Sequence, residues 1–105
     1  ALEAGQGFAA GTSSLAYDAA RGSWSAAWGA AEVVTAGGGG SIPIVSALSA
    51  AMPGADVLLV GTCDGYANIH GPNERVVLDE LERATVAEAD FLARYAAAYA
   101  ARAGA

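Results

Sequence analysis

Apolar and polar positions along the chain alternate between helical spacing and short apolar runs. From Ser13 onward, Tyr17, Ala20, Trp24, Ala27 and Trp28 repeat at the spacing of one helix face. The cluster Thr12, Ser13 and Ser14 offers an N-cap, and Gly29 stands where a left-handed C-terminal residue is needed. Two tryptophans on one stripe are read as core packing rather than as a ligand cage. Glu32–Thr35 is a short β-prone run that ends at Gly37–Gly40. Ser41, Ile42 and Pro43 then predict a second helix, with Ser41 as its cap and Pro43 in its first turn. Ile44, Val45, Leu48 and Met52 supply its apolar stripe, and Pro53–Gly54 stops it.

Asp56–Val60 is a nearly all-apolar run, the pattern of a strand covered on both faces. Thr62–Pro72 reads as a polar loop. The last helix is expected to start near Asp79, where Asp79 and Glu82 have capping-box spacing. Leu81, Ala84, Glu88, Leu92, Tyr95 and Tyr99 define one of its faces, with Glu88 the polar exception. The order α-β-α-β-α, with crossovers of the length parallel strands require, predicts an α/β fold with a partial parallel sheet. Two strands leave edges unpaired, so the expectation is one end of a larger sheet. Residues 1–12 are an extended lead-in without a clear period.

Composition narrows the function classes. The chain has 105 residues, 54% apolar and 15% charged, which sets one domain as the ceiling. Five basic residues, all Arg, against eleven acidic ones give a net charge of −6, so neither nucleic acid nor an anionic membrane is an expected partner. One cysteine, Cys63, excludes a disulfide scaffold, and one histidine, His70, excludes a His-rich metal site within the chain. No stretch is long and apolar enough to span a bilayer, and no signal-like run opens the chain, so the expected location is cytoplasmic.

Two places attract chemistry. Gly37–Pro43 lies between a predicted strand and a helix start, where bare backbone N–H groups bind anions; a tight turn needing positive φ explains the glycines equally well. The Lys-Ser/Thr of a phosphate loop is absent. The second place is Asn68–Glu74, where Asn73 and Glu74 stand close enough in sequence to orient the His70 imidazole. A lone loop histidine is more often solvated, and a catalytic zinc wants three protein ligands where this chain offers His70, Cys63 and scattered carboxylates. Cys63 is expected as a buried thiol at a strand end. The acidic residues of the last helix read as a solvated face, and no G-x-S-x-G elbow exists.

Taken together, GGSIPIV at Gly39–Val45, VLLVG at Val57–Gly61 and NIHGPNE at Asn68–Glu74 resemble the di-zinc exopeptidase family of dipeptidases, carnosinase-like enzymes, aminoacylases and glutamate carboxypeptidases. The resemblance covers nearly the whole chain, residues 1–105, and is to the C-terminal portion of the catalytic domain in the dipeptidase branch. It implies a zinc-dependent peptidase hydrolysing amide bonds of dipeptides or N-acyl amino acids, with two zinc ions in the complete enzyme. His70 matches the family's last zinc ligand. Asn73 and Glu74 match the supporting Asn-Glu that follows it, and Gly39, Gly40 and Ser41 match the turn at the substrate's free carboxylate.

Departures from the family pattern shape the expectation. Gly37–Gly38 stand where many members have Arg-Glu, and Cys63 where an acidic residue is frequent. The H-x-D motif, the bridging Asp, the Glu-Glu pair with the general base, a further acidic ligand and the lid domain have no counterpart here. The implied partner is therefore the missing N-terminal part of the peptidase, with a small peptide as substrate and the isolated chain inert. Two alternatives stay open: a non-catalytic remnant that self-associates as a homo-oligomer, and an anion-binding domain using the Gly-rich turn.

Overall fold

The computed structural model describes residues 11–36 and 43–104. It contains three helices: α1 (Leu15–Ala27), α2 (Pro43–Ala51) and α3 (Leu78–Ala103). The expected α/β architecture is overturned, because no strand and no sheet occur among the described residues. Residues 31–36 and 55–64 run without a hydrogen-bonded ladder. The Val57 carbonyl accepts a hydrogen bond from the Tyr17 hydroxyl of α1. An apolar run records that its side chains favour leaving water; it does not say which backbone will pair with it. Here Val57 and Leu58 are half-buried, whereas Leu59 and Val60 remain 61% and 53% exposed.

Helix α1 starts where its cap is. Ser14 is extended (φ −117°, ψ 170°), and its hydroxyl accepts the Tyr17 N–H at 3.3 Å. At the other end Gly29, at φ +67°, closes a Schellman motif. Its N–H donates to the Ala26 carbonyl at 3.3 Å, and the Ala30 N–H donates to the Ser25 carbonyl at 2.8 Å.

Helix α3 packs against α1. The predicted stripe of large residues is not the buried one: the buried positions of α1 are Ala16, Ala19 and Ser23, and that of α3 is Ala87. Small residues let two helix backbones approach closely, so the contact is set by absence of bulk. Ser23, fully buried, donates its hydroxyl proton to the Ala19 carbonyl at 2.9 Å, which leaves no orphaned polar group. At Gly22 an added Cβ would lie 2.9 Å from the Arg94 guanidinium. The pair runs antiparallel, pinned at the end of α1 and the start of α3 by two bonds. Trp28 Nε1 donates to Glu80 Oε2 at 2.9 Å, and the Arg83 guanidinium donates to the Ala27 carbonyl at 3.0 Å.

Helix α3 begins one residue before the predicted start, and its N-cap, Val77, makes no side-chain bond, so the Asp79/Glu82 capping box does not form. Asp79 and Glu80 still place negative charge in the first turn, and Arg102 places positive charge in the last, both favourable to the helix dipole. Phe91, Tyr95 and Tyr99 form an i, i+4 ladder, with ring centroids 5.8 and 6.1 Å apart. Helix α2 opens at Pro43 as predicted, and its Ser41 cap lies outside the described residues. Of its predicted stripe only Val45 is buried; Ile44, Leu48 and Met52 are exposed.

The buried apolar residues among those described are Ala16, Ala19, Val45, Ala67 and Ala87. The radius of gyration is 15.9 Å, against about 13 Å for a compact domain of this length. Large apolar side chains stay on the surface, Leu78 at 74%, Val34 at 72% and Leu92 at 66% exposure. No helix among the described residues is long and apolar enough to cross a membrane.

Candidate functional site

The loop between the second apolar run and α3 is ordered by its own backbone. The Gly71 N–H donates to the Asn68 carbonyl at 2.8 Å, closing a four-residue turn. His70 is the third residue of that turn and has φ +62°, whereas Ile69 before it is not in the left-handed region. This is the sign pattern of a type II turn, whose third position favours Gly or Asn. Asn68 and Asn73 also have positive φ, at 56° each. Asparagine tolerates that region, and histidine enters it less readily. The chain thus holds a histidine at a position that costs backbone energy, and its side chain is exposed.

A clasp below the turn holds both ends of the loop. Asp64 Oδ1 accepts the Tyr66 N–H at 2.9 Å. Arg75 reaches back with Nε to the Tyr66 carbonyl at 3.0 Å and with a terminal nitrogen to Asp64 Oδ2 at 3.1 Å. Its backbone N–H donates to the Ala67 carbonyl at 2.9 Å, and Ala67 itself is buried. The guanidinium also lies 5.6 Å from the centre of the Tyr66 ring. Thr62, Asp64, Arg75, Val77 and Glu80 are among the residues lining a cavity of about 10 Å³ beside the clasp. Glu80 is the carboxylate bound by Trp28, so the clasp abuts the corner where α1 meets α3.

The residues expected to carry chemistry divide as follows. Gly39, Gly40 and Ser41, proposed for the substrate carboxylate, lie outside the described residues. His70, Asn73 and Glu74 share the exposed loop, but the hydrogen bonds that order it run through Asp64, Tyr66, Ala67, Asn68, Gly71 and Arg75, not through the imidazole. Cys63 is exposed rather than buried at a strand end, since no sheet covers it. Among the described residues no three His, Cys, Asp or Glu side chains are grouped to hold a metal ion. A zinc site takes three or four protein ligands, so these residues do not form one by themselves; a single open imidazole is what the loop offers.

Arg75 was not singled out by sequence reasoning. The available signal was modest: an acidic residue before the turn-forming Gly65, Asn68, Gly71, Pro72 and Asn73, and a basic one after them. A wider cleft of about 220 Å³ separates Trp24 of α1 and Val60–Thr62 from Leu81, Thr85 and Glu88 of α3.

Over 69 residues, 66% of this chain, the sequence is 44% identical to a cysteinylglycine-S-conjugate dipeptidase from Corynebacterium striatum. The similarity supports a relation to dipeptidase-like peptidases over that region. The chain spans about 15% of the length of that curated relative. No family model matches the chain, and no solved structure matches it significantly.

Proposed function

We propose that this chain is the C-terminal part of a zinc-dependent, dipeptidase-like metallopeptidase and contributes one metal ligand, His70, to a centre completed by other polypeptide. The similarity to the dipeptidase carries the proposal. Two features of the structure support it. The imidazole is exposed on a turn whose backbone favours another residue type, and much of the apolar surface is left uncovered. In this reading Asn73 and Glu74 support the ligand, and Gly39, Gly40 and Ser41 receive the free carboxylate of a small peptide. Cysteinylglycine S-conjugates, the compounds in the relative's name, are the first substrates to try.

The test uses the purified chain with simple dipeptides and cysteinylglycine conjugates, with and without added zinc. No turnover is expected, because the sequence matches the family at one zinc ligand, His70, and holds no counterpart of the Glu-Glu pair that carries the general base. The same reading expects an H-x-D motif and a Glu-Glu pair in frame upstream of Ala1 in the coding sequence. Turnover by the 105-residue chain alone, or an upstream frame without those motifs, overturns it.

The exposed Val34, Leu78 and Leu92 favour a second reading, a non-catalytic helical remnant that self-associates. Light scattering on the purified chain separates the two: a stable homo-oligomer that no upstream polypeptide dissociates supports the remnant.

A further inference from the structure

We infer that Asp64 and Arg75 are positioning residues that hold the Asn68–Gly71 turn in the conformation presenting the His70 imidazole; the functional part of this inference rests on His70 being a metal ligand. The turn is energetically awkward at His70, whose φ is +62°, while the positive φ of Asn68 and Asn73 on either side is one asparagine tolerates. Such backbone persists only where its surroundings over-determine it. Its own closing bond, Gly71 N–H to the Asn68 carbonyl, is a single contact. The remaining restraint comes from below. Arg75 binds the Tyr66 carbonyl with Nε and the Asp64 carboxylate with Nη2 of one guanidinium, and Asp64 in turn fixes the Tyr66 N–H. The planar fork makes this geometry specific to Arg. Because Arg75 is two residues before Val77, the N-cap of α3, the clasp couples the turn to the α1·α3 pair.

His70 is the sole histidine, so its imidazole gives one unambiguous resonance set in the 105-residue chain. Arg75→Gln removes the charge and the fork while leaving the backbone N–H bond to Ala67. The expected result is a fall of about fivefold in hydrogen-exchange protection of the Gly71 amide, the scale of one exposed ion pair with its hydrogen bonds. The His70 ring resonances should move toward those of an unstructured peptide while helical circular dichroism is retained. Asp64→Asn, which keeps the shape and an acceptor for the Tyr66 N–H, should lose about two- to threefold on the same scale. Arg75→Lys should recover part of the protection and of the ring shift, since charge returns without the fork.

Unchanged Gly71 protection and unchanged His70 resonances in both Arg75→Gln and Asp64→Asn overturn the inference, as does equal loss in Arg75→Lys and Arg75→Gln with the ring signature unmoved. These measurements need neither metal nor turnover. A failed peptidase reading therefore leaves the turn data standing, and a failed clasp leaves the peptidase assays to be judged separately.

Discussion

Substitution at His70 isolates a backbone term with unusual cleanness. The ring is exposed and takes no part in the hydrogen bonds that order the loop, so shortening it removes little contact energy. What changes is the cost of holding φ at +62°. A left-handed residue with a Cβ costs about 1–2 kcal/mol, and a β-branched one lies at the upper end or beyond. Glycine escapes that cost but gives back about 0.5–1 kcal/mol through its freer unfolded chain. His70→Gly is therefore expected to be near neutral, His70→Ala to weaken the turn slightly, and His70→Val to weaken it by about 1–2 kcal/mol. The Gly71 amide, which donates across the turn at 2.8 Å, reports this by native-state hydrogen exchange. After correction for intrinsic rates, its protection should fall by roughly 5- to 30-fold in the valine variant relative to glycine. If glycine loosens the turn as much as valine does, contacts of the ring rather than backbone preference hold the loop, and the reasoning fails.

Three further outcomes follow from the helical pair, each read by thermal circular dichroism. Ser14→Ala removes the N-cap acceptor of α1 and should cost about 0.5–1 kcal/mol; no change would mean that the 3.3 Å bond carries nothing. Ala87→Leu forces a larger side chain into a fully buried position and should cost about 1–3 kcal/mol, seen as a fall of several degrees in Tm. A neutral result would show that α1 and α3 separate freely. Gly29→Ala, where a Cβ meets open space but φ is +67°, should cost about 1 kcal/mol from backbone alone; a stabilised variant would contradict the Schellman assignment.

The candidate loop was legible because its chemistry is local. Asn68, Gly71, Pro72 and Asn73 announce turns wherever they occur, and a single His among them is conspicuous. The Arg75 clasp was harder to read. It joins the side chains of Asp64 and Arg75, eleven positions apart, and adds the Tyr66 carbonyl as a second acceptor, and no periodicity encodes a bond to a backbone oxygen. Burial misled in a similar way. Trp24, Leu81 and Leu92 are the loudest apolar signals in their helices, yet the α1·α3 contact is built on Ala16, Ala19, Ser23 and Ala87.

The amino-acid order alone determined the three helices and the stop at Gly29, because helical apolar spacing, the Ser14 cap, Pro43 and a left-handed glycine act within a few residues, although the capping box read at the start of α3 does not form. It also determined an acidic chain with one imidazole on a turn-rich loop. Only the tertiary structure decided that the run at Val57–Val60 finds no ladder and lends a carbonyl to Tyr17 instead. The same holds for the face α1 turns toward α3 and for the guanidinium that closes the histidine loop. Helix ends are chosen by neighbours in sequence, whereas pairing and packing are chosen by partners distant in the chain, whose competition no local pattern records.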